Sequence, residues 1–234
     1  MRGLMLVLSV ILVLSLISCG PSAGGGAFST TPLDMGTPVY MDGILLVTLP
    51  SGSVVERVDL TVLPKVRRLY ESGKLKVFFG VASTPSPFPE EGYASARLEA
   101  LSQMAQFIST RVRSVETKMS TTISNAIEDP DTRSQVFGVT INVLKRTQQL
   151  FTDVRIYGGR EIIWYRYHRP GELPRYGVVI LYDPDEALMA IMASESFQKA
   201  WRTALEEFKK LGTAGEELSL ELKKSLKESL GVTK

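Results

Sequence analysis

One cysteine and one histidine stand in the whole chain of 234 residues. A disulfide framework cannot be built from them. Neither can a metal site that draws several ligands from His and Cys, and a Cys–His nucleophile pair has one candidate of each type. An excess of one charge is also missing. The 27 basic and 25 acidic side chains leave a net charge of +2, which makes no general electrostatic case for nucleic acid. Beyond the N-terminal run, no stretch reaches the roughly 18 consecutive apolar residues that suggest a membrane span. What is present is ordinary globular composition, with 44% hydrophobic, 22% charged and 8% aromatic residues. That excludes a collagen-like or wholly disordered chain.

The N-terminus reads as an address. Met1-Arg2-Gly3 carries a positive charge, and Leu4 to Ile17 is apolar except for Ser9 and Ser15. As a helix the run would span about 21 Å, against about 30 Å for a bilayer core. It is short for a permanent span and has the form of a secretory signal peptide, residues 1–18. The sole cysteine follows at once. Leu16-Ile17-Ser18-Cys19 resembles the lipobox of bacterial lipoproteins. That resemblance implies diacylglyceryl transfer to the Cys19 thiol, cleavage between Ser18 and Cys19, and acylation (a palmitate-type label) of the new amino group. It also implies a membrane anchor, stable because more than one acyl chain is added. Gly20 at the next position resembles lipoproteins sent to the outer membrane, where the protein would face the periplasm. Residues 19–38 contain Gly20-Pro21-Ser22-Ala23-Gly24-Gly25-Gly26. They read as a lipidated, flexible tether.

Residues 39–211 read as one α+β domain and 212–234 as a separate C-terminal amphipathic helix. Ile44 to Leu49 and Val54 to Leu63 flank Pro50-Ser51-Gly52-Ser53. Val58, Leu60 and Val62 alternate with polar residues in the second run, so the pattern predicts an N-terminal hairpin, ended by Pro64. Lys65 to Glu71 reads as a short helix and Leu75 to Val81 as a core strand. A helix follows, with Ala94, Leu98, Leu101, Met104, Ala105, Ile108 and Val112 on its apolar face. From Arg113 the period switches to two. Val115, Thr117, Met119, Thr121 and Ile123 share one face, which predicts a strand. Asp129-Pro130-Asp131 starts a second helix with Val136, Val139, Val143, Thr147 and Leu150 as its stripe. Val154 to Tyr167 and Tyr176 to Tyr182 read as strands about a Pro170-Gly171 turn, with a kink at Gly158-Gly159. Asp183-Pro184-Asp185 starts one helix that carries Leu188 through Phe208. Gly212 and Gly215 break it, and Glu216 to Leu230 forms the last, charged helix. The fold class that results is α+β, an antiparallel sheet covered by long amphipathic helices on one face.

From about Val77 to Leu188 the chain resembles the Lpp-twenty-like family of bacterial outer-membrane lipoproteins. The resemblance rests on the strand ending in Gly80-Val81-Ala82-Ser83 and on the Ala94-x-Ala96-Arg97-x-x-Ala100 helix with Ala105. It also rests on the Arg113-to-Ile123 strand and on the Arg155–Tyr167 and Tyr176–Tyr182 hairpin. It implies a structural or interaction role in the envelope, with no catalytic residues to carry over.

Few residues carry chemistry. Gly80 and Ala82 lie between a strand and a helix, as in a phosphate-binding loop. Three prolines and no further glycine argue against that reading, so no nucleotide is expected. Glu90-Glu91 and Asp183/Asp185 sit at helix starts, where the helix dipole accounts for them. The candidate binding residues are Arg155, Arg160, Trp164, Arg166, Tyr167, Arg169 and Arg175. Arginine interleaved with aromatics can stack on sugars and pair with carboxylates or phosphates. A two-faced strand with its aromatics on the sheet and its arginines in water produces the same pattern. His168 reads as a surface loop residue. The expected function is therefore a lipid-anchored envelope protein, non-enzymatic, without cofactor, metal or nucleic acid, acting through an envelope protein partner or self-association. The alternative is an anionic glycan or lipid-binding module built on the Arg/aromatic hairpin.

Overall fold

The computed structural model describes residues 36–152 and 158–232. Cys19, Ser18 and the N-terminal segments, together with Arg155, lie outside the described residues.

The chain opens with a hairpin of β1 (Thr37–Met41) and β2 (Ile44–Leu49). Asp42 and Gly43 turn it with φ of 55° and 76°. An Asp-Gly pair favours the two-residue turn with both central residues at positive φ, whose twist matches a hairpin. Two expectations are corrected here. β2 pairs backwards with β1, not forwards with the next run, and Thr37 and Pro38 belong to β1, not to the tether. The turn at Pro50 to Ser53 exists, closed by Ser53 N–H donating to Pro50 O at 3.1 Å. It leads into a different sheet. β3 (Ser53–Val58) stops at Val58, and Leu60–Val62 is a single 3-10 turn capped by Asp59.

Helix α1 (Leu63–Glu71) carries Pro64 in its first turn and buries Val66 and Leu69. Proline costs least in that position, so Pro64 starts this helix and does not end the strand, which stops at Val58. β4 (Lys76–Val81) follows. β5 (Gly159–Tyr167) and β6 (Arg175–Tyr182) form the expected hairpin in the centre of a four-stranded antiparallel sheet, ordered β3-β5-β6-β4.

Helix α2 runs unbroken from Pro89 to Ala126, 38 residues, or about 57 Å. The strand expected over Arg113 to Ile123 does not exist. Its apolar positions continue a helical series of Ala96, Ala100, Met104, Ile108, Val112, Val115, Met119 and Ile123, all buried. Period two was suggested by threonines, which are β-branched and strand-favouring. In the helix, Thr117 and Thr121 donate their hydroxyls to Arg113 O at 3.2 Å and Thr117 O at 3.3 Å. The four-residue back-bond removes any need for water or a sheet. The buried stripe is also rotated from the expected one: Leu98 is 67% exposed, whereas Ala96 and Ala100 are fully buried.

Helix α3 (Pro130–Thr152) turns back along α2. Asp129 accepts Thr132 N–H at 2.8 Å at its start, and Gln148 Nε2 reaches Ser109 Oγ at 2.8 Å near its end. The single helix expected after Asp183 is two, α4 (Pro184–Ala193) and α5 (Glu195–Lys209), separated by Ser194 in an extended conformation. Helix α6 (Thr213–Leu230) includes Gly215 rather than being broken by it. A side chain at Gly215 would overlap the backbone carbonyl of Phe208, so the glycine lets α5 and α6 approach.

The sheet is covered on both faces. On one, Phe78, Val178, Ile180 and Tyr182 share a core with α2, α3, α5 and α6. On the other, Ile163, Tyr165, Val179 and Leu181 pack with the β1–β2 hairpin and α1. The long helices thus occupy one face, as expected, and the hairpin closes the second. The C-terminal helix is not separate. Leu218, Leu222, Leu226 and Leu230 lie in the first core, and the buried Tyr182 hydroxyl donates to Leu230 O at 3.1 Å.

Two substitutions test this packing. A Cβ at Gly80 would overlap the Ala96 carbonyl and the Ala100 amide. Gly80→Val is therefore expected to cost at least about 3 kcal/mol in chemical denaturation. Leu222→Ala, at a fully buried site, is expected to cost about 2–5 kcal/mol, and Leu220→Ala, 68% exposed, under about 0.5 kcal/mol. Equal midpoints for the two leucine variants would undock α6.

Candidate functional site

The hairpin residues sort by strand geometry. Tyr165 lies opposite Gly177 and is fully buried; a side chain at 177 would overlap its ring. Tyr167 is half-buried against the core on the hairpin side. Trp164 points to the α2 side, where its indole N–H donates to Glu161 Oε2 at 3.1 Å. Arg57, directly across from it on β3, sets its guanidinium 3.6 Å from the indole centroid. One face of the tryptophan is therefore already covered by a cation.

Most of the arginines described here have carboxylate partners in the same chain. Arg160 donates to Asp59 Oδ2 and Thr61 Oγ1, both at 2.7 Å. The Thr61 hydroxyl chiefly, with the Thr61 amide and Arg160 assisting, holds the Asp59 carboxyl below the usual carboxylate range. Arg166 pairs with Glu56 at 2.8 Å. Arg175 reaches Ser83 O at 3.2 Å and Glu172 at 3.7 Å, with its Nε buried and without a partner. Arg169 and His168 are exposed in the turn region.

The structure gathers Trp164 and Arg166 with residues that the sequence reading had not joined to them. Glu56 and Arg57 come from β3, and Tyr93 and Arg97 from the first turns of α2. Around Trp164 they enclose a cleft of about 570 Å³. Tyr93 donates its hydroxyl to Glu56 Oε2 at 2.5 Å, and Arg97 pairs with Glu161. Glu56 and Glu161 are thus each held by an arginine and by a neutral donor. Glu56 could not be placed beforehand because β3 had been paired with β2. Its only sequence signal was a polar position on an alternating strand.

Asp183, expected as a helix-start residue, does cap α4, accepting from Asp185 and Glu186 amides at 3.1 and 3.3 Å. It is only 1% exposed and is paired with Arg68, with Lys65 at 3.7 Å. These contacts tie α1 to α4. Among the described residues no group of three or more His, Cys, Asp or Glu is placed to hold a metal ion. Comparison of the chain with protein-family models, with curated proteins and with solved structures gives no match.

Burial, and then the bond to Glu56, push the Tyr93 phenol above its ordinary range. A folded pKa above the unfolded value gives stability that is present below the ordinary phenol pKa of about 10 and lost as pH rises through the folded pKa. In an ultraviolet titration of phenolate, the wild-type minus Tyr93→Phe difference should appear only beyond the ordinary phenol range. Glu56→Gln should move it back towards that range. A difference that already titrates near pH 10 in the wild type would contradict the Tyr93–Glu56 bond.

Proposed function

We propose that the chain is a lipid-anchored protein of a bacterial cell envelope, held at the outer membrane facing the periplasm, with a structural or protein-interaction role and no catalysis. The observation that carries this reading is the sole cysteine, placed at Cys19 directly after the apolar run and Ser18. Among the described residues no helix is long and apolar enough to cross a membrane, so an anchor in this reading is supplied by Cys19.

The interaction role draws support from β3. Among the described residues it is an edge strand, paired only with β5, and Val54 and Val58 are exposed along it, with Leu60 exposed just beyond. Exposed apolar side chains on a free strand edge suit a protein partner, which can add a strand or cover the patch. The irregular pairing between Val55 and Arg57 and the charges of Glu56 and Arg57 guard the same edge against indiscriminate pairing. The alternative, an anionic glycan or lipid module on the hairpin, gains less. Arg160, Arg166 and Arg175 already face carboxylates, and an anion would have to displace them.

Membership of the Lpp-twenty-like family is part of the proposal. β4, α2 and the β5–β6 hairpin follow in the order the resemblance uses. The Arg113 to Ile123 segment, which it used as a strand, is helical.

Cells given radioactive palmitate should label the wild-type protein. Cys19→Ala should carry no label and should keep the size of the uncleaved chain or be released in soluble form. A labelled Cys19→Ala protein would overturn the anchor. A photo-crosslinking residue at Val58 should trap a discrete partner in intact cells, and the same residue at Lys145, on the exposed face of α3, should not.

A further inference from the structure

A second cleft, also about 570 Å³, opens farther along α2, where β4, the end of β6 and the C-terminal end of α6 meet. That is a volume typical of small-molecule sites. Its wall carries Lys74, Lys76, Arg111 and Lys118, against the single carboxylate of Glu228. Lys74 and Lys118 have partners. Lys74 sits 3.2 Å from Asp185, and Lys118 sits 2.5 Å from Glu221 and 3.9 Å from Glu228. Lys76 and Arg111 have no carboxylate partner among the described residues. Both approach the ring of Phe107, with Lys76 Nζ 4.1 Å and Arg111 Cζ 4.6 Å from its centroid.

Two cations at one ring, with no anion between them, are an unfavourable arrangement for the empty fold. Burial, and then the Arg111 charge, hold the Lys76 ammonium below the usual lysine range. Lys76 is exposed, so water screens much of this effect. Packing alone would be served as well by a methionine, which also makes favourable contacts with an aromatic ring. The nearby negative end of α6 does not supply the missing anion, because its carbonyls are engaged. Leu230 O accepts from Tyr182, Glu228 O from Arg111 at 3.2 Å and from Gly231 N, and Lys227 O from Val232 N. Ser225 and Ser229 are turned to Glu221 and Leu226 O. Ser114, exposed in the same wall, makes no side-chain hydrogen bond among the described residues.

We propose that this cleft binds a phosphate group, held between Lys76 and Arg111 with the Ser114 hydroxyl as a further donor. An arginine fork beside a lysine and a hydroxyl fits the tetrahedral oxygens of a phosphate. The group belongs either to a soluble phosphorylated molecule or to a phospholipid headgroup. The site does not depend on the anchoring at Cys19.

The test uses the full chain in non-ionic detergent at constant ionic strength, titrated calorimetrically with inorganic phosphate, glycerol phosphate and monomeric dihexanoyl phosphatidylglycerol. Saturable binding of at least one probe below about 10 mM is expected. Lys76→Met should weaken it at least about tenfold. Lys76→Gln should weaken binding in the same way, and Lys145→Met, remote on α3, should leave the affinity unchanged. Preference for the lipid identifies a headgroup site, and preference for the soluble phosphates a metabolite site. Absence of saturable binding for all three probes overturns the proposal. So does a Lys76→Met affinity within about twofold of the wild type. Neither result bears on palmitate labelling, so failure here and failure of the anchor are distinguishable.

Discussion

A close approach of a helix to the sheet sets the rest of this molecule in place. Gly80 on β4 lies against the Ala96 carbonyl and the Ala100 amide of α2, with no room for a Cβ between them. The absence of a side chain on one partner and the methyls on the other bring α2 down onto the strand. Larger side chains take over farther along: Met104, Ile108, Val112, Met119 and Ile123 fill the widening space towards α3 and α6. Gly92 makes the same kind of allowance for the Tyr176 ring near the start of the helix. Ala96 and Ala100 are therefore used inside the domain, whereas Ala94 stays exposed.

How much of this could be read from the sequence depended on whether a local rule or a long-range contact decided the outcome. The β5–β6 hairpin, β4, α1 and the Asp129 and Asp183 helix starts follow from turn and capping chemistry carried by adjacent residues, and they are present. The β1–β2 turn carried an equally local signal, Asp42-Gly43, which outweighs the Pro50 to Ser53 turn because its geometry suits a hairpin. Residues 113–123 went the other way. Their threonines favour a strand locally, but each buried side chain there falls three or four residues after the previous one, and burial decided for helix. The C-terminal helix was misplaced for a different reason. Its leucines recur every four residues, and whether such a stripe meets a partner or its own core depends on where the preceding helix ends. Gly215, by letting α6 lie against Phe208, determines that here.

The site was less legible than the fold. The arginines and aromatics of the hairpin were visible as a pattern, yet their carboxylate partners sit 100 or so residues away in sequence, on β3 and the turn after it. Pairing of that kind converts an apparently basic strand into a nearly neutral surface. Sequence charge reports how many arginines a segment has. It does not report how many remain available to a ligand.

That distinction separates the two clefts along α2. Around Trp164 the Glu56 and Glu161 carboxylates are each matched by an arginine and also held by a tyrosine or indole donor, and Glu90 and Arg57 line the same cleft. Around Phe107 the match is incomplete: two of four cations share an aromatic ring and have no carboxylate partner among the described residues, Arg111 giving one N–H to the Glu228 carbonyl. A ring quadrupole offsets only part of what a carboxylate would supply. Incomplete pairing in an otherwise closely satisfied chain is weak evidence at an isolated exposed lysine, where water suffices. It carries more weight where two cations line one concave wall and the adjacent helix end offers them a single carbonyl, Glu228 O, which accepts from Arg111. The same helix that locks the sheet through Ala96 and Ala100 thus presents two unlike clefts: near its start Glu56 and Glu161 are held by arginines, and near its middle four cations face the single carboxylate of Glu228.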